Sequence, residues 1–330
     1  MVRRCNLALL SLTQPIRGKL LLRSIVKDRL FTKGLNIVTT QIVAIGEILW
    51  DVFPDGEKLG GAPANFACSL AELSDETHRV HIVSAVGDDE LGRRAFDSLA
   101  QRNVITDHVQ VNQFPTGRVD VTLDEAGVAS YQFAEDCAWD HLEWNPALAS
   151  LASTSDAVCY GTLGQRSTQS RATIIQFLQQ TPPACLRIFD VNIRRPYIEM
   201  EWVLESMRHA NILKLNEDEL PVLANLCDCS GDEMDITRTL ARRFNLDLIA
   251  LTRGDRGSLM VTASEAVDFS GQTINVVDTV GAGDAFTASL TINQLQHNDL
   301  SSMSQHANRV AAYVCSNAGA TMGFPANLKL

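Results

Sequence analysis

A short segment near the carboxyl-terminal end combines residue types that could bind and transfer a phosphoryl group. It reads DTVGAGDAF over residues 278–286 and leads into apolar residues at helical spacing. Glycine costs stability inside a helix, so Gly281 and Gly283 indicate a role for the backbone itself. The first turn of a helix leaves N–H groups unpaired, and these groups and the helix dipole together attract anions such as phosphate.

Asp284 is the residue of this segment that anion binding alone does not explain. A carboxylate would repel an adjacent phosphate, but beside a phosphoryl-transfer site it can accept the proton of an attacking hydroxyl. The alternative is that Asp284 only caps its helix, a role worth ~1 kcal/mol. A dinucleotide site is less consistent, because GxGxxG would need a glycine where Phe286 stands. The segment alone leaves the first two interpretations open.

The elements that would position this segment alternate between strand and helix. Short apolar runs typical of buried strands occur at residues 42–50, 78–87, 156–163, 186–192, 246–254 and 274–277. Helical spacing of apolar residues follows most of them, and the first helix is predicted from Ala64 onward. This alternation predicts an α/β fold in which helices cover both faces of a mostly parallel sheet.

Residues 116–133 break that rhythm. They alternate apolar with polar side chains around the sequence DEAG, which predicts an antiparallel hairpin. With the turn-rich segment at 50–61, they predict a small β lid formed by residues 47–61 and 113–135, over the strand ends where α/β sheets bind ligands. The alternative is a hairpin without function. Exposed edges of such a lid could pair two copies into a homodimer.

Composition excludes several classes of protein. The chain has 330 residues, 45% of them hydrophobic, and a formal net charge of -11, which argues against a nucleic-acid partner. It has no apolar run of ~18 residues, so no membrane span is predicted. The eight cysteines are scattered, as expected for reduced thiols in a cytoplasmic protein.

Residues 1–40 differ in charge from the rest of the chain. They contain eight basic residues and one acidic residue. A targeting peptide, a disordered tail and a mis-assigned start codon are the three interpretations of this basic extension. We expect the folded domain to comprise residues 41–330.

Two motifs give the chain a family resemblance. GGAPANFA at 60–67 and DTVGAGDAF at 278–286 resemble the two signatures of the ribokinase-like (PfkB) sugar kinases, and the likeness extends from about Ile42 to the carboxyl terminus. GEILWDVFPDGEKLGGAPANFA at 46–67 and FDVNIRRPYI at 189–198 are most similar to the fructokinases. The resemblance implies a ribokinase-like fold with a small β-sheet lid, and ATP and a sugar as ligands.

The resemblance also implies roles for single residues. Asp284 would be the catalytic base beside an anion hole formed by Gly281, Ala282 and Gly283. Sugar hydroxyls would be bound by Asp51, Gly60, Gly61 and Asn65. Arg194 would approach the transferred phosphate, although an ion pair with a neighbouring acid is the alternative for a lone arginine.

Further matches concern the nucleotide and its ions. Asn216 and Glu219 match an N-x-x-E motif that helps organise Mg²⁺ and phosphate, and hard oxygen ligands suit that ion. The nucleotide loop would include Thr252 and Gly254, and Asn308 would line the adenine pocket. A monovalent-cation site for K⁺ would use Asp278, the carbonyl of Val280 and the segment NAGA at 317–320.

The expected activity is therefore ATP-dependent phosphorylation of a sugar hydroxyl, with fructose as the first candidate. The alternatives are 2-keto-3-deoxygluconate, ribose, a nucleoside and a sugar phosphate. A catalytically silent sugar- or nucleotide-binding regulator would be favoured by loss of Asp284 or of the glycines, and both are present. A nucleotide-cofactor oxidoreductase should show GxGxxG after the first strand, where this chain has GEILWD.

Overall fold

The computed structural model describes residues 39–53, 56–123, 129–197 and 199–330, with side chains at all of these except 121–123 and 129–131. Its strands are β1 (Thr40–Ile45), β2 (Leu49–Phe53), β3 (Gly56–Gly60), β4 (His78–Gly87), β5 (Ile105–Asn112), β6 (Gly117–Leu123), β7 (Ala129–Phe133), β8 (Ala157–Tyr160), β9 (Leu186–Asp190), β10 (Ile212–Asn216), β11 (Leu248–Thr252), β12 (Ser258–Thr262) and β13 (Ala266–Phe269). The basic extension, apart from Thr39 and Thr40, lies outside the described residues.

The helices connect these strands along the chain. They are α1 (Ala62–Leu73), α2 (Glu90–Ala100), α3 (Pro146–Thr154), α4 (Thr168–Gln179), α5 (Met200–His209), α6 (Glu219–Leu226), α7 (Glu233–Phe244), α8 (Ala282–Leu295) and α9 (Leu300–Cys315). Short 3₁₀ helices span Ala138–His141, Leu163–Gln165, Gly254–Arg256 and Ala326–Leu328. Within the described residues, no helix has both the length and the apolar character needed to cross a membrane.

The larger sheet has nine strands in the order β13-β12-β11-β10-β9-β8-β1-β4-β5. In this order, adjacent strands from β11 to β5 pair in parallel. Strand β12 runs antiparallel to both β11 and β13. Alternate residues of β1 are buried on opposite faces: Ile42 and Ala44 pack with α1, α8 and α9, and Val43 and Ile45 pack with α3 to α7. The predicted parallel sheet between two helical layers is therefore confirmed.

The smaller sheet has the order β3-β2-β6-β7. Strands β2 and β3 pair antiparallel, as do β6 and β7, and β2 runs parallel to β6. Leu49, Val119, Trp139 and Leu163 form an apolar cluster beneath this sheet. A separate small sheet is thus confirmed, while the sequence DEAG lies outside the described residues and the action of the sheet as a lid stays a prediction.

Two local predictions were wrong. Residues 274–277 form no strand, and Val276 and Val277 are 58% and 56% exposed. The N–H groups of Val277 and Asp278 donate to the Cys315 carbonyl at the end of α9, so this segment is bound to a helix end and not to a sheet edge. Helix α1 begins at Ala62, two residues earlier than predicted, because proline fits the first turn of a helix and Pro63 stands there.

Candidate active site

A cavity of about 660 Å³ lies between the small sheet and the carboxyl ends of β9 and β10. Several elements of the chain contribute its walls, including the first turns of α1 and α8. The sequence-predicted residues that line it are Asp51, Gly61, Asn65, Arg194, Asn216, Asp278, Val280, Gly281, Gly283 and Asp284. Residues predicted from distant parts of the sequence thus meet in one site.

The amino terminus of α8 opens into this cavity. Gly281 precedes the first helical residue, Ala282, and its backbone has φ +78°, in the left-handed region that favours glycine. A Cβ at Gly281 would also lie only 2.6 Å from the Cβ of Ala320. Unpaired N–H groups at the start of a helix attract anions, so this turn is suited to a phosphate.

Asp278 fixes the loop that leads into this turn. Its Oδ1 accepts a hydrogen bond from the N–H of Val280 at 3.0 Å, and its Oδ2 accepts one from the N–H of Gly319 at 3.0 Å. The side chain therefore connects the loop before α8 to the segment after α9. Within the described ranges, no group of three His, Cys, Asp or Glu residues is arranged to hold a metal ion.

Asp284 is the third residue of α8 and faces the cavity. Its Oδ2 accepts a hydrogen bond from Asn65 Nδ2 at 2.9 Å, which joins α8 to α1. The helix-cap interpretation is wrong, because Gly281 occupies the capping position and no side chain caps this helix. Burial, with the field of Asp190 as a second cause, raises the pKa of Asp284 to about 6, so the group is mainly ionised at neutral pH.

A buried ion pair between Lys214 and Asp190, which was not predicted from the sequence, lies beside the first turn of α8. The ammonium of Lys214 is 3.1 Å from Asp190 Oδ1, and the hydroxyl of Thr287 donates to Asp190 Oδ2 at 2.8 Å. A Cβ at Gly283 would lie 3.0 Å from Lys214 Nζ, so the charge borders the first turn of α8. The signal in the sequence was a lysine inside the apolar run NILKLN, since buried lysines are rare unless paired.

Lys214 keeps its charge in this environment. Burial alone would lower its pKa, but the fields of Asp190, Glu219 and Asp284 hold the pKa above the usual value for lysine. The turn of α8 therefore has a permanent positive charge beside it.

The opposite wall carries groups that can bind hydroxyls. Asp51 on β2 is partly buried, and its pKa is raised to about 6 by burial, against the opposing fields of Arg194 and Lys58. Gly60 lies against this carboxylate, because a Cβ there would collide with Asp51 Oδ2. Asn65 uses its amide nitrogen on Asp284, and its Oδ1 has no hydrogen-bond partner among the described residues.

Some predicted residues do not line the cavity. Both oxygens of Glu219 accept backbone N–H groups, from Ile193 at 2.8 Å and from Asn216 at 2.9 Å, so the structure shows it as a brace for the loop after β9. Asn216, by contrast, lines the cavity, and its Oδ1 accepts the N–H groups of Asp218 and Glu219.

Three residues predicted for the nucleotide, Thr252, Gly254 and Asn308, do not line this cavity. Asn308 donates to Ser258 Oγ at 2.7 Å and to the Ser304 carbonyl at 2.8 Å, and so joins α9 to β12. Thr252 ends β11, and its hydroxyl donates to the Leu215 carbonyl at 3.3 Å. Gly254 is exposed, with φ +55°.

Glu47 is a second residue that the sequence analysis missed. It follows β1 and lines the cavity, although only 3% of its surface is exposed. Its signal was a carboxylic acid within the apolar run IVAIGEILW.

Solved structures identify the fold. The ribokinase of Thermotoga maritima matches with a TM-score of 0.71 at 18% identity, covering 87% of this chain and 96% of that one. An uncharacterized sugar kinase of Pyrococcus horikoshii, solved in complex with ATP, matches with a TM-score of 0.71 at 28% identity, covering 84% of this chain and 93% of that one. The ribokinase-like fold is therefore confirmed.

Sequence comparisons agree with this fold assignment and identify the family. Fructokinase-2 of Zea mays is 28% identical over 312 residues, which cover 86% of this chain and 91% of that protein. The model for the pfkB family carbohydrate kinases matches residues 40–327, a span that contains both sheets and all residues lining the cavity. Because this match covers most of the sequence, the chain belongs to the pfkB family of carbohydrate kinases and is an ATP-dependent sugar phosphotransferase.

Proposed function

We propose that this kinase phosphorylates a hydroxyl of fructose and that Asp284 is the general base. The observation that carries the proposal is the position of Asp284, which stands on the anion-binding turn of α8 and is hydrogen-bonded to Asn65 of the opposite wall. Relatives named fructokinase at 28% identity support fructose as the acceptor. The alternatives at this level of identity are 2-keto-3-deoxygluconate, ribose, a nucleoside and a sugar phosphate.

In the proposed reaction, the two walls act on different reactants. Asp51 and Asn65 hold sugar hydroxyls, while Asp284 accepts the proton of the hydroxyl that attacks the γ-phosphate of ATP. The N–H groups of Gly281 and Gly283 and the ammonium of Lys214 stabilise negative charge on the transferred group. The N–H of Ala282 donates to the Thr279 carbonyl at 3.3 Å. Arg194 is exposed at the cavity, where its guanidinium can reach a phosphate or the Asp51 carboxylate.

We include Mg²⁺ and K⁺ in the proposal. Because Asn216 and Glu219 already accept backbone N–H groups, Mg²⁺ fits this site mainly through the nucleotide phosphates and water, which is its usual coordination. Bound Mg²⁺ would neutralise phosphate charge during transfer. A K⁺ ion would depend on the carbonyl of Val280 and the Asp278 loop, and its requirement can be tested by replacing KCl with choline chloride.

Location and assembly complete the proposal. A cytoplasmic location is supported by the cysteines of the described residues, which are all free thiols. A homodimer through the small sheet is supported by its two edge strands, β3 and β7, because exposed strand edges readily pair. Light scattering of the purified protein would measure its mass in solution.

A panel of acceptors tests the substrate. ADP release is measured with ATP, Mg²⁺ and, in turn, D-fructose, D-ribose, 2-keto-3-deoxygluconate, adenosine and fructose 6-phosphate. We expect the highest kcat/KM with D-fructose and background release with Asp284→Asn. A higher kcat/KM with another acceptor would refute fructose, and ADP release that ignores every acceptor would refute the sugar kinase activity.

A further inference from the structure

Thr287 places a hydroxyl group in the buried face of α8. It lies one helical turn after Gly283 and Asp284, and it is fully buried next to the apolar residues Phe286 and Ala288. A buried hydroxyl costs stability unless it is hydrogen-bonded. The hydrogen bonds of Thr287 therefore indicate what this hydroxyl does.

The hydroxyl of Thr287 bonds to the ion pair beside the first turn of α8. It lies 2.8 Å from Asp190 Oδ2 and 3.0 Å from the Gly283 carbonyl oxygen. A hydroxyl has one hydrogen, and a carboxylate is a stronger acceptor than a carbonyl, so the hydrogen is directed at Asp190. The other oxygen of Asp190 is 3.1 Å from Lys214 Nζ. The carboxylate of Asp190 therefore joins the hydroxyl to the ammonium.

Strands β9 and β10 hold the two charges opposite each other. Asp190 and Lys214 are register partners of this parallel pair. Ile188 and Ile212, two residues earlier on the same strands, pack in the core cluster that includes α8. Because side chains alternate between the faces of a sheet, Asp190 and Lys214 lie on the face toward α8 as well. Thr287 thus meets the carboxylate where the helix packs on the sheet.

The contact with Thr287 controls how Asp190 can bind the ammonium. A carboxylate has two oxygens, and without a second partner it can turn and offer both of them to a lysine. The Thr287 hydroxyl occupies Oδ2 and leaves Oδ1 for Lys214. The flexible lysine side chain is thereby held with its Nζ only 3.0 Å from the place of a Cβ at Gly283.

We propose that Thr287 is a positioning residue, whose hydroxyl orients Asp190 so that the Lys214 ammonium stays beside the first turn of α8. The inference rests on the proposed function, in which Lys214 stabilises charge on the transferred phosphoryl group. That charge develops in the transition state, so loss of the hydroxyl should lower kcat and leave KM for D-fructose near the wild-type value.

Three variants of Thr287 test the role of the hydroxyl. Thr287→Val keeps the shape and removes the hydroxyl, and we expect kcat to fall about tenfold, which is part of the loss expected on removing the ammonium itself. Thr287→Ala also lacks the hydroxyl and repeats the kcat measurement should the valine variant not fold. Thr287→Ser keeps the hydroxyl but loses a buried methyl group, so it should melt lower than the wild type and keep kcat.

Thr291→Val is the matched control. Thr291 lies one turn further along α8 and is equally buried, and its hydroxyl donates to the Thr287 carbonyl at 2.8 Å. Its substitution should change the melting temperature without changing kcat. An equal fall of kcat in Thr291→Val and Thr287→Val would show a general effect of the helix and overturn the proposal.

A double-mutant cycle tests whether Thr287 acts through Lys214. In the double variant Lys214→Met with Asp190→Asn, Thr287→Val should change kcat by less than about twofold, because the ammonium is absent. The same fall in both backgrounds, or a kcat that follows the melting temperature across the Thr287 variants, would make Thr287 a structural residue and overturn the proposal. If the double variant itself keeps the wild-type kcat, the proposed role of Lys214 has failed, and the assignment of Thr287 fails with it.

Discussion

The two walls of the cavity differ in the groups that they present. The wall formed by the small sheet and the loop after β1 carries the carboxyl groups of Glu47 and Asp51, together with the ammonium of Lys58. The other wall presents the N–H groups at the start of α8 and the ammonium of Lys214. Asp284 belongs to α8 but is hydrogen-bonded to Asn65, so it lies where the walls meet.

This difference bears on the position of Asp284. In the proposed reaction a phosphate at the start of α8 would repel the Asp284 carboxylate, and the nearby Lys214 ammonium would offset that repulsion. Lys214 is itself held by Asp190, whose other oxygen accepts from Thr287. In the proposed reaction, hydroxyl activation by Asp284 and phosphate binding by the start of α8 would therefore be separated by only one helix turn.

The largest expected effect comes from removing the carboxylate at the boundary. Asp284→Asn keeps the shape and the contact with Asn65 but cannot accept the proton, so we expect kcat to fall about 10²- to 10⁴-fold. KM values should change little. Steady-state kinetics and a thermal melt check this together, and a folded variant with normal kcat would refute the role of base.

Removing the positive charge of the opposite wall should have the next largest effect. We expect Lys214→Met to lower kcat about 10²- to 10³-fold, as when one group that stabilises transition-state charge is lost. This variant also leaves Asp190 buried and unpaired, which typically costs ~3–5 kcal/mol of stability.

A double variant separates the two effects. Lys214→Met with Asp190→Asn removes both charges, so the melting temperature should recover while kcat stays low. Lys329→Met, which changes an exposed lysine outside the cavity, is the control. Recovery of kcat together with stability would show that Lys214 acts only in folding.

Changes in the wall formed by the small sheet should affect the binding of the sugar. Asp51→Ala removes one hydroxyl partner, so we expect kcat/KM for D-fructose to fall about tenfold to a hundredfold. KM for ATP should stay near the wild-type value. Kinetics at varied fructose and at varied ATP concentration measure the two KM values separately. A rise confined to KM for ATP would contradict the assignment of Asp51 to the sugar.

The smallest expected effect is that of pH. A base must be ionised, and the pKa of Asp284 is raised to about 6, so kcat/KM should fall as the pH drops below that value. Asp51 has a pKa of about 6 as well, and its protonation adds to the fall. At pH 5 we expect at least about a tenfold loss relative to pH 8, which follows from the ionised fraction. A flat profile down to pH 5 would contradict an ionised base.

The parts of the site that the sequence predicted are those encoded within one short segment. Gly281, Gly283 and Asp284 lie within a single turn, so their spacing alone places them together. Strand β1 was predictable for a similar reason, because a strand buried on both faces reads as a continuous apolar run.

The missed parts depend on contacts between distant segments. Lys214 is paired with Asp190, 24 residues away, and Glu47 lines a cavity built from several elements. The segment at 274–277 was predicted to be a strand, but Val276 and Val277 are exposed and the N–H of Val277 donates to the end of α9, which no local pattern reveals. The ligand roles predicted for Glu219 and Asn308 stay predictions, although both carboxylate oxygens of Glu219 and the amide nitrogen of Asn308 have partners within the protein.

Calorimetric titration of the two ligands tests the division between the walls most directly. D-fructose and the non-transferable β,γ-imido analogue of ATP are titrated into the wild type, Asp51→Ala, and the double variant Lys214→Met with Asp190→Asn. We predict that Asp51→Ala loses affinity for fructose and keeps that for the analogue, and that the double variant does the reverse. Equal loss of both ligands in each variant, or the opposite pattern, would contradict the account.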